Sequence, residues 1–152
     1  MSSDAPRASA PTPARRVRRK LVIKPFFHQI DMLGVVHNAV YFLWFDEGRM
    51  AFALDILPLA EAFRLGLALV VVENQCTYLS PVRFGDELIL CTEHLVASSY
   101  GSRFEFSHSL VNTRSHLEVA SGTSAMAAID VQTRQVLRDL PPLIWERYRQ
   151  LR

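Results

Sequence analysis

Three residues that can act on a carbonyl group fall close together in this chain: Asp31, His37 and Asn38. They lie in the run Ile30-Asp31-Met32-Leu33-Gly34-Val35-Val36-His37-Asn38, which leads into the apolar stretch Ala39 to Phe45. A carboxylate can serve as a base or as a nucleophile. The first backbone N–H groups of a helix have no partner inside the helix and carry its positive end, so they favour a developing oxyanion. A loop acid seven residues before a helix start can therefore offer both functions to one carbonyl substrate.

Each of these residues also has a plain structural reading. Asp31 can cap its own turn, although Ile30, Met32 and Leu33 around it are apolar and imply partial desolvation. Asn38 or His37 can be the helix N-cap, and a capped first turn still presents N–H groups. Gly34 lets the backbone come close to a substrate. His28, His94, His108 and His116 have no metal-ligand spacing, and HExxH, CxxC and GxSxG are absent, so neither a metal nor a cofactor is expected.

The elements that must position these residues follow from periodicity. Residues 19–27 alternate loosely and predict a first strand. A helix is predicted from about Asn38 to Leu54, with Val40, Leu43, Trp44, Glu47, Ala51 and Leu54 on one stripe and Asp46 and Arg49 on the wet side. Because it is apolar around much of its girth, it is expected to be central and buried. Pro58 ends it or opens a short helix through Phe63. Strands are then predicted over 67–79, 87–97, 102–111 and 116–131, with turns at Gly85-Asp86, at 98–101 and at 112–115. In the fourth strand Phe104, Phe106, His108 and Leu110 share one face. Ala120, Gly122, Ala125, Ala127 and Ala128 leave room for close approach in the fifth. Residues 141–152 read as a short amphipathic helix. The fold class is α+β: a five-stranded antiparallel sheet wrapped around one long central helix.

Composition narrows the function. At 152 residues the chain suits one domain. Six bases against one acid put the first twenty residues at +5, so within a whole-chain charge of +2 the remainder is −3. That balance disfavours nucleic acid as a partner of the folded body. Residues 1 to 18, rich in Ser, Ala, Pro and Arg, read as a disordered basic tail, either solvated or an organelle-targeting leader; residues 19–152 form the domain. Cys76 and Cys91 read as buried free thiols. No apolar run reaches the ~18 residues of a membrane span, so a cytoplasmic setting is expected.

Two segments resemble a known family. Asp31-x-x-Gly34-x-Val36-x-Asn38-x-x-Tyr41-x-x-Trp44-Phe45 and the later Tyr78-Leu79-Ser80-Pro81-Val82-Arg83-Phe84-Gly85-Asp86-Glu87-Leu88 are similar to the hotdog-fold acyl-CoA thioesterases, the group of 4-hydroxybenzoyl-CoA thioesterase and the YbgC-like enzymes. The resemblance covers roughly residues 20 to 130. It differs from the YbgC-like branch, which has Tyr-His where this chain has His37-Asn38, and from another branch, which has Gly-His-Val-Asn-Asn at Gly34 to Asn38.

The resemblance implies a hotdog fold and hydrolysis of an acyl-CoA, with Asp31 as nucleophile or base and the Asn38 amide on the carbonyl oxygen. His37, Gly34 and Tyr41 fall in the same motif, and Asn74 is a candidate for the acyl pocket, with Phe42, Phe45, Leu69 and Tyr78 as further walls. Arg83 and Arg103 are candidates for the coenzyme A phosphates, followed by His94 and Arg114. The family also implies a homodimer joined edge to edge, or a homotetramer, with the site at the subunit boundary. The turn after the third strand, Ser98-Ser99-Tyr100-Gly101, lacks the basic residues of some relatives. Three other readings stand beside the acyl-CoA one: a carrier-protein thioester as substrate, a non-catalytic acyl-CoA-binding module, and a hydratase or dehydratase, which would need a paired histidine.

Overall fold

In a computed structural model of the chain, residues 15–96 and 101–152 are described. The sequence-predicted turn at 98–101 lies outside them except for Gly101, as do residues 1–14 of the expected tail.

The sheet has five antiparallel strands in the order β1-β3-β4-β5-β2. They are β1 (Arg15–Ile23), β2 (Leu67–Tyr78), β3 (Leu88–Val96), β4 (Arg103–Asn112) and β5 (Glu118–Asp130). β1 starts at Arg15, so the tail boundary expected at residue 18 falls inside a strand; Arg15 pairs with Val96 and Ile23 with Leu88. β2 crosses to the far edge and pairs with β5. Three helices complete the chain: α1 (Val40–Ile56), α2 (Leu59–Leu65) and α3 (Pro142–Gln150). α1 is 17 residues long and does not cover the sheet alone, because Ile144, Trp145 and Tyr148 of α3 are buried in the same core as its Phe52 and Ile56.

The buried face of α1 is Val40, Tyr41, Trp44, Phe45, Gly48, Arg49, Phe52, Ala53 and Ile56. The predicted stripe was rotated from this. Leu43, Glu47 and Leu54 are exposed and Arg49 is buried, with 1% exposure. A helix this apolar does not reveal its inner face by hydropathy. Close approach decides it, since a Cβ on Gly48 would stand 2.1 Å from Thr92 Oγ1. Gly122 acts the same way from the sheet, where a Cβ would stand 2.5 Å from the Phe45 ring. The small residues expected in β5 thus seat the helix.

Two apolar clusters lie on either side of a buried polar layer. One gathers Ile23, Val36, Val40, Tyr41, Trp44, Phe45, Val82 and Leu88 near the start of α1; the other surrounds Phe52, Phe104 and Trp145. Between them lie Arg49, Thr92, His108 and Ser124, all buried. His108 meets Thr92 Oγ1 at 3.0 Å and Ser124 Oγ at 2.8 Å. Phe104, Phe106, His108 and Leu110 share the inner face as predicted, and all four are buried.

Candidate active site

After β1 the chain makes one 3₁₀ turn, Phe27–Gln29. It then forms a miniature hairpin, with a bridge between Ile30 and Val36. Inside the bridge the Asp31 N–H donates to the Val35 carbonyl (2.8 Å) and the Gly34 N–H to the Asp31 carbonyl (3.0 Å). Gly34 closes the loop at φ 74°, the left-handed conformation such three-residue loops require and glycine tolerates best. The Val36 N–H donates to the Val82 carbonyl at 2.8 Å, which ties this loop to the second family-like segment.

The Asp31 carboxylate serves the turn with one oxygen. Oδ1 accepts from Leu33 N–H at 2.8 Å and from Val35 N–H at 3.4 Å. Among the described residues Oδ2 takes no hydrogen bond. The capping reading and the reactive reading are thus compatible: the backbone orients the group and leaves an oxygen available. The desolvation expected from the flanking residues is not supplied by this chain alone, because Met32 and Leu33 are 103% and 81% exposed.

The helix start differs from the prediction by two residues. Ala39 is the N-cap and Asn38 precedes it in a turn. His37 takes up the first amides instead: its Nδ1 accepts from Ala39 N–H at 3.2 Å and its carbonyl from Val40 N–H at 3.0 Å. The Asn38 N–H donates to no group among the described residues, and the Asn38 carbonyl accepts the Tyr78 hydroxyl at 3.0 Å.

Asp31, Val35, Val36, His37, Asn38, Tyr41, Tyr78, Leu79, Ser80 and Pro81 line one open cavity of about 420 Å³. Burial pushes the Tyr41 phenol up to about 12, so it stays protonated. Its ring meets Tyr78 edge-on at 5.0 Å. Arg83 lies beside this group, since a Cβ on Gly34 would be 3.9 Å from its Nη1.

The other predicted contacts lie elsewhere. Asn74 Oδ1 accepts from Arg49 Nη1 at 3.0 Å and is not part of the cavity lining. Arg103 pairs with Glu73 at 3.0 Å and Glu105 at 3.4 Å. His94 is buried against Tyr148, and Phe45 is fully buried in the core. Among the described residues no His, Cys, Asp and Glu cluster could hold a metal ion, and no helix is long and apolar enough to cross a membrane.

Residues 26–146 match the sequence profile of the thioesterase-like superfamily. The chain belongs to that superfamily. Membership makes thioester hydrolysis its class of chemistry, and the hotdog arrangement recurs in solved relatives. A Staphylococcus aureus protein solved in complex with CoA superposes with a TM-score of 0.74 at 19% identity, covering 94% of this chain and 87% of that one. A 1,4-dihydroxy-2-naphthoyl-CoA thioesterase from Synechocystis superposes at 0.73 and 17% identity, covering 89% and 98%. In sequence, the chloroplastic acyl-acyl carrier protein thioesterase ATL3 of Arabidopsis thaliana is 33% identical over 82 residues, 53% of this chain and 42% of that protein.

Proposed function

We propose that this thioesterase hydrolyses an acyl-CoA and that Asp31 carries the reaction. The supporting observation is the pairing, on one cavity, of a carboxylate oxygen and a backbone N–H at Asn38 that both lack a partner among the described residues. The Asn38 N–H, with the positive end of α1 behind it, polarises the thioester carbonyl. Acting as base, Asp31 takes a proton from water as the oxygen adds to the acyl carbon; the C–S bond then breaks and the thiolate leaves. Acting as nucleophile, Asp31 displaces the thiolate itself, and water cleaves the resulting anhydride. Thiolate is a good leaving group, so a site without a strong general acid suffices. Gly34 leaves space for the thioester, Tyr41 forms the cavity floor, and Arg83, which has no ion pair among the described residues, takes a phosphate.

The reading includes a second copy of the chain in a cytoplasmic homodimer. β2 is an open edge with Val71 and Val72 exposed, and edge-to-edge pairing covers it. Partner atoms near the rim then supply the desolvation that Met32 and Leu33 lack in a single copy.

Arg103, held by two glutamates, weakens the expected set of phosphate contacts. This favours a second reading, in which the thioester is borne by a carrier protein. The test is Asp31→Asn assayed on benzoyl, short-chain and long-chain CoA thioesters and on an acyl-carrier protein. Hydrolysis falls by about a hundredfold to ten-thousandfold while binding of the thioester persists. An Asn variant as active as the parent removes Asp31 from the reaction; a parent inert on the whole panel overturns the hydrolase reading and leaves an acyl-binding module.

A further inference from the structure

We propose that Tyr78 is a positioning residue for the reaction: through a single peptide group it holds His37 in the tautomer that carries its proton on Nε2. The inference rests on the hydrolase reading for its catalytic consequence and on geometry alone for the tautomer.

Tyr78 lies at the end of β2, forty residues beyond Asn38, yet its hydroxyl donates to the Asn38 carbonyl at 3.0 Å. The N–H of that same peptide group belongs to Ala39, and it donates to His37 Nδ1 at 3.2 Å. The two bonds share one amide. Pulling electron density toward the carbonyl oxygen makes the N–H a better donor, so they strengthen each other. A nitrogen that accepts from a backbone N–H cannot carry a proton. The ring proton of neutral His37 therefore sits on Nε2, and the imidazole offers that nitrogen as a donor.

This addresses the shifted histidine. His37 lines the same cavity as Asp31 and Asn38, and a donor on its outer nitrogen fits a carbonyl or thiolate that gains negative charge. The opposite tautomer would present an acceptor. The titratable and charged groups around it are Asp31 on the loop, Tyr41 on α1 and Tyr78 on β2, with Arg83 beside Gly34. Of these described residues, only Tyr78 bonds to the peptide that fixes the ring.

Two variants isolate the relay. Tyr78→Phe keeps the ring that packs on Tyr41 and removes the hydroxyl. Ala39→Pro removes the N–H; the φ of −67° suits proline, while Asn38, ahead of it in the turn closed by Val40 N–H and the His37 carbonyl, shifts out of its helical conformation. The Cys76 thiol is the titratable neighbour of the Tyr78 hydroxyl on the same strand, so Cys76→Ala serves as the control for that neighbour. The tautomer is read from the ¹⁵N shifts of His37 at about pH 8, above the ordinary histidine range, and kcat and KM are measured on a cleaved CoA thioester. Expected are a predominantly Nε2–H ring in the parent and in Cys76→Ala, a mixed ring in both relay variants, and a loss of about tenfold in kcat at similar KM for Tyr78→Phe. A parent ring protonated on Nδ1, or a Tyr78→Phe protein with unchanged tautomer and kcat, overturns the proposal. A parent that cleaves no thioester refutes the hydrolase reading and with it the catalytic role of Tyr78, while the ¹⁵N result still decides the tautomer.

Discussion

His108 and Phe45 lie face to face, their ring centroids 4.3 Å apart and their planes within 7° of parallel. The imidazole is sealed under α1 between two hydroxyls. Burial, and next the charge of Arg49, push it down to about 3. The unfolded chain, with an ordinary histidine near 6.5, binds a proton there that the folded chain refuses. Stability contributed by neutral His108 is thus fully present above about pH 6.5 and is lost as pH falls toward 3. The loss amounts to a few kcal/mol. Burial also lowers His94, so it adds loss of the same sign. The paired carboxylates Glu61, Glu93 and Glu146 are also held low by their arginines; the stability they contribute is present above the ordinary carboxylate range and is lost only as pH falls through it. Urea midpoints measured from pH 7 to pH 4.5 should fall, and His108→Gln should flatten that slope. An unchanged slope in the variant would place the effect outside His108.

The approach of α1 to β3 at Gly48 is a packing constraint that a single methyl tests. Gly48→Ala drives a Cβ into Thr92 Oγ1 and should cost about 2 kcal/mol despite the better helix propensity of alanine. Thr92→Ala in the same chain relieves the clash, so the double variant should be more stable than additivity predicts. Thermal melts of the four proteins measure this directly.

The two arginines proposed for phosphate contacts should separate. Arg83 stands over the Gly34 loop, whereas Arg103 is held by Glu73 and Glu105. Arg83→Ala should raise KM for a CoA thioester several-fold, by loss of about 1 kcal/mol or more, and leave kcat nearly intact. Arg103→Ala should change neither by more than about twofold. Equal effects would reject this assignment.

The proposed self-association through β2 makes a further prediction. Val72 lies at the register shift between Val71 and Glu73 and is half exposed. Val72→Lys places a charge on the open edge and should shift the protein toward monomer in sedimentation velocity. Activity should fall with it if the partner helps cover the Asp31 loop. A dimer that survives the substitution would mean that a different surface holds it.

The sheet was legible in the sequence because period-two alternation in β4 and the turn residues between strands state it locally. The hairpin of Asp31 to Val35 was legible as a loop with an acid and a glycine. The inner face of α1 was not, since Leu43 and Leu54 are as apolar as the residues they were confused with; contact between Gly48 and Thr92, 44 residues apart, settles it. Arg49 was misplaced for the same reason. Its burial depends on Asp46 and Asn74 as partners, and one of those arrives from another element. Asn38 or His37 was expected to cap the helix, Asn38 because its type suits the task. That position went to Ala39, with His37 satisfying the first amides, and Asn38 keeps an N–H to spare.

The two borders of the sheet are not alike. β1 carries five bases in nine residues, Arg15, Arg16, Arg18, Arg19 and Lys20, while β2 runs from Leu67 to Tyr78 with no lysine, arginine or proline. Like charges on two copies repel along the first border, and the second carries no such row. In the proposed dimer, strand addition therefore uses the second border alone, and the pair ends in a cationic fringe at both extremities that opposes lengthening into a fibre.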